Sequence, residues 1–356
     1  MKQLPEVILS FEALEQLVSL APLKAPVLAA GIELKVFNYL TEPASAAMVA
    51  QAITAYANNV QILLDGLAAL DLVTKKNGLY QNTPLAEAFL AEQSPTYLGV
   101  MLAQYARMER PTSDDLVYLI KEGPPEIETT LDEQTGAQQA GVMEELDEQE
   151  IAQRLKLTAS AYADVQRSGI AQQLAELVAA LPEFPTFATM LDLGGGAGLI
   201  GVAIVTKHPT MMGVIFDLPP VVEAAKNYIA EYGMQQRIKV LGGDYTCDPL
   251  GGPYDLILAS ASLHAGRQNL DMLLAKIYHA LNSGGVFVSV HEGLTHEQTK
   301  PLAMVLPRIP FALQGMNLSF EQGEIAHAMV RAGFRSIHSR TITMPYSPLD
   351  LDIARK

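Results

Sequence analysis

The sequence has little cysteine and no tryptophan. Among its 356 residues the only thiol is Cys247, which excludes an internal disulfide and a cysteine-rich zinc site. A single thiol suits a reducing compartment, so we expect a cytoplasmic protein. The sequence contains no stretch of about twenty apolar residues that could span a bilayer. Glu6, Glu12 and Glu15 interrupt the only N-terminal segment that could imitate a signal peptide, so we expect neither membrane insertion nor export.

Acidic residues are concentrated in the first part of the chain. Residues 1–150 hold 22 Asp and Glu against 8 Lys and Arg, whereas the remainder is nearly balanced, with 17 against 16. Ten of the acidic residues lie between Glu122 and Glu150. Runs of like charge are usually exposed to solvent. We interpret residues 111–175 as an acidic connector and a linking helix, and the pattern predicts this helix from about Ile151 to Leu181.

The N-terminal part, residues 1–110, has the spacing of a helical domain. The pattern predicts two short helices, Ala46–Ala52 and Asn58–Leu70, followed by a hairpin with strands at Leu72–Thr74 and Leu79–Asn82. Two helices followed by a hairpin are typical of a winged helix.

A winged helix often binds DNA through its second helix, so a regulator has to be considered. The segment NNVQILLDGLAALDL, which holds the second predicted helix, contains no Lys or Arg, and its only charges are Asp65 and Asp71. Because basic side chains supply most DNA affinity, we expect no nucleic acid partner. A winged-helix regulator with a ligand-sensing C-terminal half stays a disfavoured alternative.

Strands and helices alternate in the C-terminal part, residues 176–356. This alternation predicts a parallel sheet that is covered on both faces, a doubly wound α/β fold. A final hairpin would add an antiparallel edge. The predicted strands are Met190–Leu193, Gly213–Asp217, Ile238–Leu241, Leu256–Ser260, Val286–Val290, Ser336–Thr343 and Leu349–Arg355. The helices predicted between them lie near residues 199–207, 220–232, 269–281 and 321–332.

A glycine-rich segment, LDLGGGAGLIG, follows the first of these strands. Its spacing matches the dinucleotide pattern G-x-G-x-x-G, but Asp192 would repel a pyrophosphate and attract a cation. S-adenosylmethionine has no phosphate and carries an ammonium and a sulfonium group. We therefore expect the bare backbone at Gly194, Gly196 and Gly198 to lie against this cofactor, with Asp192 helping to place its ammonium. Gly195 and Gly201 in the same segment could serve only to let helix and strand approach.

The next two strands also end near acidic residues. Asp217 can accept the two ribose hydroxyls, and Asp244 can accept the adenine amino group, with Tyr245 and Leu218 on either side of the ring. Three acids at successive strand ends favour S-adenosylmethionine over a dinucleotide. Each acid also has a structural interpretation, because Asp217 could cap a helix and Asp244 could belong to a turn.

Several motifs together resemble one family. LDLGGGAG, FDLPPVVEAAK, RIKVLGGDYTCDP, YDLILASASLH and NSGGVFVSVHE are similar to successive motifs of class I methyltransferases of the caffeate, acetylserotonin and hydroxyindole O-methyltransferase type. AGIELKVFNYL and GLYQNTPLAEAFL resemble the family's winged-helix dimerisation domain. The resemblance covers nearly the whole chain and implies a Rossmann-like seven-stranded methyltransferase domain and a homodimer formed through the N-terminal domain.

The resemblance also implies roles for individual residues. His264 would be the general base, held by Glu292 and Glu324, and Tyr162 and Gln166 would line the substrate pocket. Met304 and Phe311 are further apolar candidates for this pocket, and we expect no metal. The implied cofactor contacts are Gly194, Gly196, Asp217, Leu218, Asp244, Tyr245 and Ser260.

The chemistry of methyl transfer fits these residues. The protein has to align donor and acceptor and to remove a proton. A phenol with a pKa of about 10 needs a base that is neutral at pH 7, and histidine, with a pKa of about 6.5, is suitable. We expect an O-methyltransferase that acts on a small aromatic acceptor and leaves S-adenosylhomocysteine as product.

The sequence departs from the family pattern directly after the histidine. The family typically continues with Asp-Trp and an acidic residue, whereas this chain reads Ala265-Gly-Arg-Gln. A second hypothesis therefore keeps the cofactor but replaces methyl transfer by hydroxylation, decarboxylation or a pericyclic step. A zinc site at His291 and His296 is excluded because these residues are five apart, whereas the H-E-x-x-H motif needs four.

Overall fold

The computed structural model describes residues 12–108, 110–123, 148–316 and 318–356. The chain forms two compact units, Met1–Glu109 and Arg110–Lys356. Most of the predicted acidic connector, residues 124–147, lies outside the described residues.

The first unit is mostly helical. Its core surrounds Phe37, Leu64, Leu67 and Tyr80, all nearly inaccessible to solvent, and it contains the helix–helix–hairpin order predicted from the sequence. Three short antiparallel strands pair in the order β1-β3-β2. The strands are β1 (Ala44–Ser45), β2 (Val73–Lys76) and β3 (Leu79–Asn82), and the helices are α1 (Glu12–Glu15), a π-helical turn (Gln16–Leu20), α2 (Ala21–Glu33), a 3-10 turn (Val36–Tyr39), α3 (Ala46–Ala52), α4 (Ala57–Ala69), α5 (Pro84–Phe89) and α6 (Gly99–Arg107).

The second unit alternates strands with helices. Its helices are α7 (Ser113–Glu122), α8 (Glu148–Val165), a π-helical turn (Gln166–Ile170), α9 (Ala171–Ala179), a 3-10 turn (Phe184–Thr186), α10 (Leu199–Lys207), α11 (Pro219–Glu231), a second 3-10 turn (Leu263–Asn269), α12 (Leu270–Ala280), α13 (Leu302–Leu313) and α14 (Glu324–Ala332). Its strands are β4 (Thr189–Leu193), β5 (Met212–Asp217), β6 (Ile238–Gly242), β7 (Tyr254–Ser260), β8 (Leu281–His291), β9 (Gly293–Leu294), β10 (Phe320–Glu321), β11 (Ser336–Thr343) and β12 (Pro348–Arg355).

Seven of these strands form one sheet in the order β11-β12-β8-β7-β4-β5-β6. Strands β4 to β8 are parallel, and β12 pairs antiparallel with both β8 and β11. The predicted doubly wound sheet with an antiparallel edge is confirmed. The strand order reverses between β4 and β7, and ligands of open α/β sheets bind beside such a reversal.

Apolar side chains leave both faces of the sheet, which explains the nearly continuous apolar runs of the central strands. On β7, Leu256 and Leu258 pack into the core beneath α9 and α10, whereas Ile257 and Ala259 pack into the core beneath α12 and α14. Because helices cover both faces of the sheet, a ligand can bind at the edge formed by the carboxyl ends of the parallel strands.

The helix predicted from Ile151 to Leu181 is interrupted. Gly169, with φ of 111°, lies in the π-helical turn between α8 and α9. A positive φ of this kind favours glycine. The kink directs α8 and α9 differently and places the turn against the glycine-rich loop.

Candidate active site

The predicted site residues gather at the carboxyl edge of the sheet. Strands β4, β5, β7 and β8 end at Leu193, Asp217, Ser260 and His291, on both sides of the reversal in strand order. The loops that follow these strands and β6 carry most of the other predicted cofactor and base residues.

The glycine loop joins β4 to α10 with three residues in the left-handed region. Gly194, Gly196 and Gly198 have φ of 67°, 59° and 78°, values that favour glycine. A Cβ on Gly194 would lie 2.5 Å from the Cβ of Ser262, whereas a Cβ on Gly196 would find its nearest neighbour, Gln166 Nε2, at 3.9 Å. The loop is therefore packed at Gly194 and open at Gly196, where a ligand can approach the backbone.

Asp217 supports this loop from the neighbouring strand. Its Oδ2 accepts the Gly196 N–H at 2.8 Å, and its Oδ1 accepts the Leu218 N–H at 2.7 Å. Burial raises the pKa of the carboxyl, and the two hydrogen bonds oppose that rise. Each carboxylate oxygen has a further lone pair, so Asp217 can still accept hydroxyl donors.

Asp192 lies below the loop. Its side chain is 1% exposed, and Oδ2 accepts the Gly201 N–H at 3.0 Å. Burial raises the pKa of this carboxyl to about 7; the bond from Gly201 opposes the rise and the charge of Asp217 adds to it. The structure thus gives Asp192 a role in holding α10 against β4, and its predicted role in placing the cofactor ammonium stays a prediction.

The residues after β6 form the next part of the edge. Asp244 Oδ1 accepts the backbone N–H and the hydroxyl of Thr246 at 2.8 and 2.7 Å. Tyr245 is buried, and its hydroxyl donates to the carbonyl of Ser262. Burial, together with Asp217 and Asp244, raises the pKa of this hydroxyl. Leu218 precedes α11 and Ser260 ends β7.

His264 lies in the 3-10 turn that follows β7 and is partly buried. Burial lowers the pKa of its imidazole, and the nearby Glu292 carboxylate opposes this change. Glu292 directly follows β8. The structure therefore brings the predicted base and one of its two predicted acids together.

Glu324 is engaged by a different residue. Its carboxylate pairs with Arg267 Nη1 at 3.0 Å and accepts the Glu321 N–H at 2.9 Å. The Arg267 guanidinium also lies 4.8 Å from the centre of the Phe320 ring. Arg267 belongs to the segment in which the sequence departs from the family pattern. The contact predicted between Glu324 and His264 stays a prediction.

Sequence reasoning missed His291 as part of the site. Its Nε2 accepts the N–H groups of Ser262 and Leu263 at 3.0 and 2.9 Å, and its Nδ1 lies 3.0 Å from Ser289 Oγ. Burial, and then the proximity of His264, lowers the pKa of His291 to about 3. The available signal was the pair of polar residues at alternate positions in an otherwise apolar strand.

The predicted substrate residues lie on α8, on the π-helical turn that follows it and on α13. Gln166 contacts the glycine loop directly, because its Nε2 donates to Gly195 O at 3.3 Å and its Oε1 accepts the Leu199 N–H at 3.0 Å. Tyr162 lies one turn earlier, on α8. Met304 and Phe311 lie on α13, where Met304 packs against the core and Phe311 is 41% exposed.

Tyr346 was also missed by sequence reasoning. It lies in the turn between β11 and β12, beyond the carboxyl end of β8. The residue as a whole is 49% exposed, but desolvation of its hydroxyl raises the pKa to about 12, and the proximity of Glu292 and Tyr162 adds to this rise. The hairpin thus brings a tyrosine to the side of the site that holds Glu292.

In the described ranges, no group of three or more His, Cys, Asp or Glu is placed to bind a metal ion. None of the helices in the same ranges is long and apolar enough to cross a membrane.

Comparison with known families matches both parts of the chain. Residues 151–335 match the O-methyltransferase domain, and residues 20–92 match the O-methyltransferase dimerisation domain. The first match spans more than half of the chain.

Individual relatives match over most of their length. An N,N-dimethyltransferase, OxyT, from Streptomyces rimosus is 29% identical over 88% of this chain and 87% of its own. The acetylserotonin O-methyltransferase of Homo sapiens is 28% identical over 93% of both chains. The crystal structure of human N-acetylserotonin methyltransferase in complex with SAM superposes with a TM-score of 0.75 at 25% identity, covering 97% of each chain.

Proposed function

This chain belongs to the O-methyltransferase family, and we propose that it methylates a hydroxyl of a small aromatic acceptor with His264 as general base. The cofactor is S-adenosylmethionine. The observation that carries the proposal is the position of a partly buried histidine, with a lowered pKa and a carboxylate beside it, at the same sheet edge as an open glycine loop.

The residues at this edge fit the cofactor. A side chain at Gly194 would collide with Ser262, and the backbone at Gly196 is open, so the loop admits a ligand close to the main chain. Asp217 and Asp244 offer carboxylate oxygens for the ribose hydroxyls and the adenine amino group. The Tyr245 ring lies against the loop, since a Cβ on Gly194 would be 3.6 Å from its Cε1. When bound, the cofactor supplies a methyl group activated by positive sulfur.

The acceptor must lose a proton during the reaction. Burial lowers the pKa of His264 below 6.5, so its imidazole is neutral at pH 7 and can take the proton from the acceptor hydroxyl oxygen. Glu292 stabilises the imidazolium that forms. Because burial and Glu292 act in opposite directions on the same ring, the base is kept neutral at rest and is stabilised once charged.

Two observations favour an aromatic acceptor: the side chains around the base, and the substrates for which relatives are named. Tyr162 and Tyr346 lie on the side of the site that holds Glu292, and aromatic rings prefer offset or edge-to-face contacts with other rings. One relative is named for acetylserotonin, and another for N,N-dimethylation. We place Gln166 as a support of the glycine loop and Met304 and Phe311 at the acceptor side.

The N-terminal unit is proposed to form a homodimer. Large apolar side chains on the helices at its start are exposed, with Leu14, Leu17 and Val18 at 66%, 69% and 76%, and the match to a dimerisation domain covers residues 20–92. Sedimentation should show a dimer that Val18→Glu dissociates. Val330→Glu, at a position 60% exposed in the second unit, should leave the dimer intact.

We propose that the domains divide at residues 1–110, 111–175 and 176–356 and that the protein is cytoplasmic. Cys247 is free and exposed, and such a thiol persists in a reducing compartment. Cell fractionation tests the location.

The central experiment measures transfer of a labelled methyl group from S-adenosylmethionine to a panel of phenols and arylamines. We expect labelled phenol ethers. His264→Gln should lower turnover about 100-fold or more and leave S-adenosylhomocysteine affinity, measured by calorimetry, within threefold of wild type. His338→Gln, at an exposed position on β11, is the matched control. Labelled amines without labelled ethers would refute the hydroxyl acceptor, and full activity of His264→Gln would refute the base.

A further inference from the structure

The backbone in front of His264 is anchored by a buried histidine from the neighbouring strand. Leu263 begins the 3-10 turn and Ser262 directly precedes it. N–H groups at the start of a helical turn have no partner within it. His291 Nε2 accepts both of them, at 3.0 and 2.9 Å. One side chain on β8 thus satisfies the two amides that immediately precede the proposed base.

The protonation state of His291 follows from its partners. A ring nitrogen that accepts two N–H groups carries no proton, so the neutral ring holds its proton on Nδ1 and donates it to Ser289 Oγ at 3.0 Å. Ser289 and His291 are almost fully buried, and the Phe320 ring stands edge-on to the imidazole at 5.8 Å between centres. The ring is fixed on both nitrogens and on one face.

The anchored backbone is also part of the cofactor side. Ser262 Oγ donates to the carbonyl of Leu193 at 2.7 Å, and the carbonyl of Ser262 accepts the Tyr245 hydroxyl. Ser262 therefore touches the last residue of β4, the predicted adenine-flanking tyrosine and, through close packing, Gly194. The segment held by His291 connects the cofactor loop with the base.

We propose that His291 is a positioning residue, which fixes the Ser262–Leu263 backbone and thereby holds His264 in line with the acceptor hydroxyl. This inference rests on the proposed function, because it takes His264 as the base. His291 itself exchanges no proton with the acceptor. A displacement of about 1 Å at a reacting group can cost about 100-fold in rate, and release of both amides would allow such a displacement.

Two substitutions of similar volume separate anchoring from packing. His291→Gln retains an oxygen that can accept the two N–H groups, whereas His291→Met fills the space without an acceptor of comparable strength. Ser289→Ala is a milder third variant, since it removes only the partner of Nδ1. Thermal unfolding and circular dichroism identify the variants that fold.

The first measurement is hydrogen exchange of the Ser262 and Leu263 amides, which needs neither cofactor nor acceptor. We expect exchange at least tenfold faster in His291→Met, intermediate in Ser289→Ala and within threefold of wild type in His291→Gln. If His291→Met does not fold, the contrast between Ser289→Ala and His291→Gln carries the test. If the Ser262 and Leu263 amides exchange equally slowly in wild type and in the folded His291→Met and Ser289→Ala variants, His291 does not anchor this backbone.

The second measurement is turnover at saturating substrates together with S-adenosylhomocysteine affinity. We expect turnover to fall about 100-fold in His291→Met, with affinity changed less than threefold, and His291→Gln to restore most of the turnover. Equal losses of turnover and of S-adenosylhomocysteine affinity in His291→Met would overturn a positioning role. Equal losses of turnover in His291→Gln and His291→Met would overturn it as well. Full activity of His264→Gln would refute the base alone, because amide exchange reports the anchor independently.

Discussion

The buried carboxyl of Asp192 should make the stability of the protein depend on pH. Burial below the glycine loop raises its pKa from 3.8 to about 7. The unfolded chain releases this proton near its ordinary pKa, so above that value the folded protein holds more protons and loses stability as the pH rises towards 7. A rise in pKa of this size corresponds to at most about 4 kcal/mol, of which about 2–3 kcal/mol falls between pH 5 and 8.

The perturbation is Asp192→Asn, which is neutral at every pH and keeps an oxygen that can accept the Gly201 N–H. We expect the difference in free energy of unfolding between variant and wild type to shift in favour of the variant by about 2–3 kcal/mol from pH 5 to pH 8. The assay is urea unfolding at several pH values. Taking the difference at each pH cancels the titration of all other groups.

Asp255→Asn is the matched control. Burial opposes ionisation of Asp255, but hydrogen bonds from Ala188, Thr189 and Asn282 lower its pKa below 3.8. The stability contributed by this carboxylate is present above its unfolded pKa and is lost only as the pH falls through its folded pKa. Its difference curve should be flat between pH 5 and 8. A flat curve for Asp192→Asn as well would refute the reasoning, since it would show that Asp192 is ionised in the folded protein.

Three further predictions address the base, the cofactor loop and the packing of α10. Because burial lowers the pKa of His264, turnover should rise with pH to a plateau with its midpoint below 6.5; a midpoint above that value would contradict the assignment of the neutral base. Asp217→Asn should weaken S-adenosylhomocysteine binding about 10- to 100-fold, as expected for the loss of hydrogen bonds to a charged group. Turnover at saturating cofactor should change less than threefold. Unchanged affinity in calorimetry would show that Asp217 does not contact the cofactor. Gly201→Ala would place a Cβ 2.5 Å from Ile215 Cδ1, so we expect the free energy of unfolding in urea to fall by about 1–3 kcal/mol. In the control Gly66→Ala, in α4, the nearest neighbour of the new Cβ is at 3.4 Å, so the free energy of unfolding should rise by up to about 1 kcal/mol. Equal changes in the two variants would show that α10 shifts to accommodate the methyl group.

The central sheet could be predicted from the sequence because its strands are apolar on both faces. The run Gly213–Asp217 predicts β5, which begins one residue earlier, at Met212, and the predicted helix 199–207 coincides with α10. Both segments are bounded by residues with strong local preferences, glycine before α10 and proline after β5. The strand ends, and with them the positions of the acids, followed from these boundaries.

Helix α13 could not be predicted in the same way. It contains Pro307 and Pro310, and proline removes a backbone donor and usually ends a helix. The sequence rule therefore predicts a break where the structure has one helix from Leu302 to Leu313. None of its residues is buried, so burial in the core does not explain why the helix continues through both prolines.

The contacts that hold the proposed base could not be predicted from the spacing of residues in the sequence. His291 and the amides of Ser262 and Leu263 are about 29 residues apart in the chain and meet only because β7 and β8 are neighbours in the sheet. The pairing of Arg267 with Glu324 spans 57 residues and depends on how α14 packs beside the 3-10 turn. Such contacts follow from tertiary structure, and no local pattern encodes them.

The amide of Gln166 has a practical consequence for anyone who wishes to redirect the enzyme to new acceptors. It donates to one residue of the glycine loop and accepts from another, a combination that neither a carboxylate nor an ammonium can reproduce. A mutagenesis library should therefore hold position 166 constant and diversify position 162, one helical turn away. Libraries that randomise both positions would remove these two hydrogen bonds to the glycine loop from most of their members.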